Sequence, residues 1–163
     1  MTTTWSMSQN GRTEPVELQI GRGQITGHSL VNVQGYNIAV PTGFRAVWER
    51  SATDDYVYPS AAVAMTFSST LSETCTVVVN GLDATYAIKT AIVTFTASTT
   101  GVVTTGTSTF FRINSMQITS GTALDTIRAT NNGTTYAQIN PGAGLSQASI
   151  YTVPLGYTFY LSR

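Results

Sequence analysis

Short runs of alternating apolar and polar residues cover most of the chain, and Gly, Pro, Asn and Asp separate them. Phe44, Ala46 and Trp48 alternate with Arg45, and the same pattern recurs in residues 63–68. A period of two places apolar side chains on one face of a strand and polar side chains on the other. Many such runs between turn residues predict an all-β fold, a single antiparallel β-sandwich of jelly-roll type.

The same pattern predicts further strands along the chain. They lie at residues 16–20, 31–36, 75–80, 110–119, 124–129, 134–139, 150–153 and 157–161. The continuous apolar run at 75–80 indicates a strand covered on both faces. Alternation is imperfect at 110–119, so a β-bulge is expected there. Residues 101–106, rich in Thr, Val and Gly, are expected to form a turn region.

Residues 83–97 fit two interpretations. Their apolar residues also satisfy helical spacing at Ala84, Ala87, Ile88, Ala91, Ile92 and Phe95. Besides Ile88 and Ile92, five further β-branched residues in the same window argue against a helix, where they would lose side-chain entropy. We therefore predict a strand.

The clearest predicted hairpin joins residues 124–129 to residues 134–139. Asn132 and Gly133 lie between these two runs. Asn-Gly readily adopts the positive backbone angles of a two-residue turn. A tight antiparallel connection is therefore expected at this point.

Composition narrows the possible functions. Thr is the commonest residue, Lys89 is the single lysine, and only 10% of the chain is charged. Threonine suits strands, and the near absence of lysine disfavours surface helices. Zero net charge provides no positive field for a phosphate backbone, so no nucleic-acid partner is predicted. A neutral, Thr-rich surface also lacks the repulsion that keeps copies apart, which favours assembly.

Compartment signals are few. Cys75 is the single cysteine, so no disulfide framework is expected. Residues 1–15 contain no apolar stretch typical of a secretion signal, and no run is long enough to span a bilayer. We predict a soluble protein made in the cytoplasm of its host and not associated with membranes.

Groups that perform catalysis or bind metals are sparse. His28 is the single histidine and follows a glycine, so it is interpreted as a turn residue. Asp54 and Asp55 are adjacent, but no further ligands follow at a calcium-binding spacing. The sequence therefore predicts no catalytic residue, no metal, no cofactor and no enzymatic activity.

Aromatic residues are the candidates for contacts with partners. Residues 1–15 are interpreted as an N-terminal arm, preceding a sandwich domain at residues 16–163. The arm is too short to bury Trp5 and Met7 locally, so both are predicted to dock on a partner. Tyr56 and Tyr58 lie in an acidic, aromatic loop and are predicted as contact residues; a glycan platform there is the alternative.

Several segments resemble a group of small virion structural proteins of marine and freshwater, cyanophage-like tailed phages. The likeness spans residues 29–163 and rests on GYN at 35–37, the strand at 44–48, VVVNGLDATY at 77–86, FRIN at 111–114, GTTYA at 133–137 and YTVPLGYTFYLSR at 151–163. The resemblance implies a β-rich particle protein without catalytic residues.

Together these observations predict a capsid decoration or cement protein. Such a protein binds the outer surface of the virion head, contacts the major capsid protein and copies of itself, and stabilises the shell by avidity. Reuse of one surface patch would suit a closed oligomer such as a trimer. The alternative is a receptor- or glycan-binding module of a tail or neck fibre.

Overall fold

The structure, a computed structural model, describes residues 8–9, 12–13, 15–39, 42–50 and 54–160. The chain divides into two compact units, Met1–Asn32 and Val33–Arg163. In the first unit, strand β1 (Ser8–Gln9) pairs antiparallel with strand β2 (Arg12–Thr13). A short helix follows this pair.

Helix α1 (Val16–Gly21) occupies the position of a predicted strand, so the prediction at residues 16–20 is wrong. Pro15 immediately precedes the helix, and its carbonyl accepts a hydrogen bond from the Leu18 amide at 3.1 Å. The fixed backbone angle of proline suits the start of a helix. Five alternating residues are too few to distinguish a strand from one helical turn.

The described part of the second unit contains seven strands. They are β3 (Val63–Ala64), β4 (Thr66–Leu82), β5 (Ile88–Gly106), β6 (Thr109–Phe110), β7 (Arg112–Thr122), β8 (Ile127–Asn131) and β9 (Thr134–Ile139). Every pairing is antiparallel, and the sheets pack against each other. The predicted all-β, sandwich-like fold is confirmed. The strand interpretation of residues 83–97 is also correct from Ile88 onward.

Strand β4 is the centre of the largest sheet. Strand β5 pairs along one edge of β4, while the other edge pairs with β7 over residues 74–82 and with β8 over residues 66–68. Strand β9 extends the sheet beyond β8, and β3 pairs separately with β6. One long strand therefore joins the β7 part of the sandwich to the β8–β9 part.

Strand β5 reverses direction along its own length. Ala97 has a positive φ of 47°, and beyond it Thr104 lies beside the first half of the strand. The Thr104 hydroxyl donates to the Ile92 carbonyl at 3.3 Å and lies 3.5 Å from the Thr94 hydroxyl. Residues 101–106 are thus an extended outer limb of the sheet. The predicted turn region there is wrong, because the reversal comes earlier.

The core lies between the inward faces of the long strands. Its most completely buried apolar side chains are Phe67, Val77, Val79, Val93, Phe95, Phe110, Met116, Ile127 and Ile139. In residues 75–80, alternate side chains are fully buried and those between them are half-buried. The strand predicted to be covered on both faces therefore has one core face and one partly covered face.

Bulges in β7 repair its imperfect alternation, as predicted. Asn80 pairs with Ser115, but the next residue, Gly81, pairs with Ile113, so Asn114 is the extra residue. A bulged residue has no partner across the ladder, which frees its side chain for other contacts. The Asn114 side chain instead forms hydrogen bonds with the backbone of Thr152.

The β8–β9 hairpin matches its prediction. Asn132 and Gly133 have φ values of 47° and 79°, the positive pair that defines a tight type I′ turn. Replacing Gly133 by alanine is expected to lower the free energy of unfolding by about 1 kcal/mol, because L-residues with a Cβ resist this conformation. Urea unfolding measures the change. Gly43→Ala is the control, since Gly43 has no positive φ and open space around it; equal effects of the two variants would contradict the prediction.

Four predicted strands do not form in the isolated chain. They lie at residues 31–36, 44–48, 150–153 and 157–161, of which residue 161 falls outside the described residues. Around them the structure contains isolated bridges, such as the one between Trp48 and Ala148. Alternation gives these segments the side-chain pattern of strands, but a strand also needs a neighbouring backbone.

Candidate interaction surface

Two stretches on either side of the β-strands carry most of the exposed apolar side chains of the second unit. We name residues 33–62 and 143–160, as far as they are described, the first and second flanking segments. They expose eleven large apolar side chains, against five on the described residues between them. The eleven are Val33, Tyr36, Ile38, Phe44, Val47, Val57, Tyr58, Leu155, Tyr157, Phe159 and Tyr160. Exposed apolar side chains concentrated in this way are typical of interaction sites.

The second flanking segment follows the outer edge of β7. The Ile118 amide donates to the Gly144 carbonyl at 2.7 Å. Further along, the bulged Asn114 side chain accepts from the Thr152 amide and donates to the Thr152 carbonyl, both at 2.9 Å. A side-chain amide here substitutes for a strand neighbour, so the segment is anchored without continuing the sheet.

The first flanking segment in turn lies against the second. The Tyr36 amide donates to the Gln147 carbonyl at 3.1 Å, and the Ser149 amide donates to the Val47 carbonyl at 2.9 Å. Gly35 permits this close approach, because a Cβ at that position would lie 2.0 Å from the Ser149 hydroxyl. The backbones of both segments are therefore tethered near the body, while many of their side chains stay exposed.

Trp48 is the anchor of the seam between the two flanking segments. Its side chain is 1% exposed, and its ring centroid lies 5.4 Å from that of Tyr56. The Tyr56 hydroxyl donates to the Val47 carbonyl, and burial raises the pKa of Tyr56 to about 12. A crevice of about 10 Å³ lies beside Trp48, too small for an organic ligand. The contact with Tyr56 fixes Trp48 within the first flanking segment, and the bridge between Trp48 and Ala148 joins that segment to the second.

Glu49 follows Trp48 into the same seam. It is 2% exposed, and neither carboxylate oxygen forms a hydrogen bond of ordinary geometry with a described residue. Burial raises the pKa of Glu49, and the nearby backbone of Gln147 offsets only part of that effect. A buried carboxylate without a partner destabilises the folded state when it is ionised.

A second aromatic cluster surrounds Arg112 at the start of β7. Its guanidinium carbon lies 3.8 Å from the ring centroid of Phe111 and 4.8 Å from that of Tyr58, and its Nη1 donates a hydrogen bond to the Pro59 carbonyl at 3.1 Å. Tyr86 packs edge-on against Phe111 at 5.4 Å between centroids. No described carboxylate forms a salt bridge with Arg112. Arginine and tyrosine are the residue types that dominate binding energy in protein interfaces.

The chain matches no known protein-family model, no curated protein and no solved structure.

The predicted contact residues fall in different places. Tyr56 belongs to the Trp48 seam with its hydroxyl bonded internally, whereas Tyr58 belongs to the Arg112 cluster and is half-exposed. Trp5 and Met7 lie outside the described residues. Arg112 was not among the predicted contact residues, although the FRIN motif contains it.

The residues considered for metal binding or catalysis are dispersed. His28 is exposed and makes a contact of 3.2 Å with the Thr26 carbonyl, while Asp55 forms an exposed ion pair with Arg45 at 3.8 Å. In residues 8–160, as far as they are described, no three His, Cys, Asp or Glu side chains are grouped to hold a metal ion. The described helix is also too short to cross a membrane.

Proposed function

We propose that the protein is a structural component of a tailed-phage particle, a non-enzymatic decoration protein on the outside of the head. The observation that carries this proposal is the pair of flanking segments, whose backbones are tethered while their apolar side chains stay exposed. Such segments gain about 25 cal/mol for each Å² of apolar surface that a neighbour covers. They therefore suit a protein whose working state is an assembly.

The low charge of the chain supports the same role. Eight basic and eight acidic residues in 163 leave a surface dominated by neutral side chains. Copies placed side by side on a lattice meet little electrostatic repulsion. Many weak contacts, repeated over a lattice, give stable attachment by avidity. The major capsid protein and further copies of this chain are the proposed partners.

The fibre-module alternative requires an open aromatic platform at Tyr56 and Tyr58. Tyr56 packs against Trp48 and its hydroxyl is bonded to a backbone carbonyl, so this ring offers a glycan little free face. Tyr58 lies beneath the Arg112 guanidinium. The geometry therefore favours an assembly role over glycan recognition.

Stoichiometry in purified particles tests the proposal. Quantitative mass spectrometry is expected to find hundreds of copies of this chain per particle, in fixed ratio to the coat protein. Labelling of intact particles is expected to reach them from outside. About a dozen copies would instead indicate the neck or tail, and absence from particles would overturn the proposal.

Binding to shells that lack the protein gives a sharper test. The variant Ile38→Ser with Phe44→Ser alters two exposed apolar side chains of the first flanking segment. We expect it to fold normally but to occupy shells severalfold less. The control, Leu71→Ser with Leu124→Ser, alters exposed apolar residues outside the flanking segments and is expected to bind like the unmodified protein. Equal binding of both variants would exclude the first flanking segment.

A further inference from the structure

The outer limb of β5 is a sheet edge without the usual protection. Residues 101–106 read GVVTTG and contain no charge and no proline. Val102 in this limb is 65% exposed. Natural proteins normally protect an edge strand with lysine, proline, a bulge or a covering segment, because its free backbone groups pair with other chains. In the described residues, β4 pairs with β5 over residues 88–98 and again at the start of the limb, where Phe67 pairs with Gly101, but it has no pair among residues 102–105.

The end of the second flanking segment is a strand pattern without a sheet. Tyr157 and Phe159 alternate with Thr158 and Tyr160, which in an extended chain places two aromatic rings on one face. None of the four side chains is buried, and Tyr160 is 81% exposed. No backbone hydrogen bond joins residues 158–160 to another described residue. The sequence pattern therefore predicts a strand, but the described part of the chain provides no neighbouring strand for it.

A turn at residues 154–157 precedes this segment. The Leu155 amide donates a hydrogen bond at 2.9 Å to the carbonyl of Tyr86, in the connection between β4 and β5. The Tyr157 amide then donates to the Pro154 carbonyl at 3.2 Å, and Gly156 has a positive φ of 84°. These angles define a turn of type II, in which glycine is required at the third position. Residues 157–160 follow this turn and are not part of a described strand.

We propose that residues 157–160 of one copy add as a strand to the outer limb of β5, residues 102–105, in a second copy. Residues 157–160 have the pattern of a strand but no neighbouring strand, and residues 102–105 form a sheet edge to which no described strand is added. Neither carries a charge, so no like-charge pair opposes their approach. Aromatic side chains opposite Val and Thr are favourable cross-strand pairs.

The pairing also defines the symmetry of the assembly. Each copy supplies one strand and one edge, so the contact is heterologous and every copy both donates and accepts. Repetition of such a contact closes into a ring when the rotation between copies permits it. This inference concerns the contacts between copies and does not depend on what the assembled protein binds.

The first experiment tests whether the outer limb of β5 mediates self-association. Light scattering after size-exclusion chromatography measures the mass of the full chain over a range of concentrations. Val102→Lys is expected to weaken self-association at least about tenfold, because a lysine on an edge opposes strand addition. Leu124→Lys is the matched control, since Leu124 is 62% exposed and lies outside both elements. It is expected to associate like the unmodified chain. A monomer at all concentrations, or unchanged association of Val102→Lys, would overturn the proposal.

Cross-linking identifies the strand that occupies the edge. One chain carries Val102→Cys and an isotopically heavy chain carries Phe159→Cys; the native Cys75 is buried and does not compete. A disulfide between a light and a heavy chain is expected on mixing. Disulfides exclusively between two Val102→Cys chains would replace the proposal by edge-to-edge pairing. A third chain carries both substitutions. If it forms a disulfide within one molecule at high dilution, while mixed single variants form none between chains, the proposal is overturned.

The outcomes separate this inference from the proposed function. Self-association that depends on Val102, in a protein absent from particles, would retain the inference and reject the decoration role. Hundreds of copies on particles, together with unchanged self-association of Val102→Lys, would retain the decoration role and reject the inference.

Discussion

Replacing Glu73 by alanine is expected to lower the free energy of unfolding by about 3 kcal/mol. The Glu73 side chain is completely buried in the corner of β4. One carboxylate oxygen accepts from the Ser69 hydroxyl and the Asp125 amide, both at 2.9 Å, and the other accepts from the Leu124 amide at 2.8 Å. Alanine would leave three donors without a partner, and buried unsatisfied groups cost more than the hydrogen bonds are worth on average.

This carboxylate has a second consequence for the fold. It joins the β4 corner to the loop before β8, more than fifty residues later in the chain. Glu73→Gln keeps the shape but turns an amide donor toward backbone amides, so a loss between that of alanine and none is expected. Urea unfolding measures both variants. Asp55→Ala, at an exposed ion pair, is the control with little expected effect; a Glu73→Ala variant as stable as this control would contradict the account.

Glu73 also illustrates what the sequence could not predict. The strands of the sandwich and the β8–β9 hairpin were predictable, because alternation and an Asn-Gly turn act between residues close in the chain. The role of Glu73 depends on Leu124 and Asp125, which become its neighbours only when β4 pairs with β7, where Thr74 lies opposite Thr122, and with β8. No local pattern distinguishes such a glutamate from an exposed one.

The flanking segments were mispredicted for a related reason. Their alternation is that of strands, but the single chain places no continuous strand beside residues 157–160. Arg112 was missed because its stacking on Tyr58 depends on the register of β7. Tyr58 is half-exposed, and its role as a contact residue stays a prediction.

Glu49→Gln is expected to act in the opposite direction, raising the free energy of unfolding by about 1 to 2 kcal/mol at pH 7. Glu49 is as deeply buried as Glu73, but its carboxylate forms no ordinary hydrogen bond with a described residue. Taking an unpaired carboxylate out of water costs several kcal/mol. The partial compensation by the backbone of Gln147 reduces the expected gain.

The Glu49 carboxyl group is also expected to make the free energy of unfolding depend on pH. Burial raises the pKa of Glu49 in the folded state above the unfolded value of about 4.3. Between those two values the folded protein binds a proton that the unfolded chain does not. The free energy of unfolding therefore rises as the pH falls through the folded pKa, and the gain is complete below about 4.3.

Other carboxylates oppose this trend at lower pH. Hydrogen bonds from the Thr85 side chain hold the pKa of Asp83 below its usual value, and the Thr70 side chain does the same for the pKa of Asp125. Their stabilising effect is present above the unfolded pKa and is lost as the pH falls through the lowered folded values. The stability of the unmodified protein is thus expected to pass through a maximum under acidic conditions.

Chemical unfolding of the unmodified protein and of Glu49→Gln, from pH 7 to pH 4, isolates the contribution of Glu49. The difference between the two is expected to be largest at neutral pH and to shrink as the carboxyl group becomes protonated, since glutamine does not titrate. Asp55→Asn, at an exposed position, controls for the change of net charge. A Glu49→Gln variant less stable than the unmodified protein at pH 7 would mean that the ionised carboxylate has a stabilising partner. A difference independent of pH would mean that the pKa of Glu49 is the same in the folded and unfolded states, which would contradict the prediction.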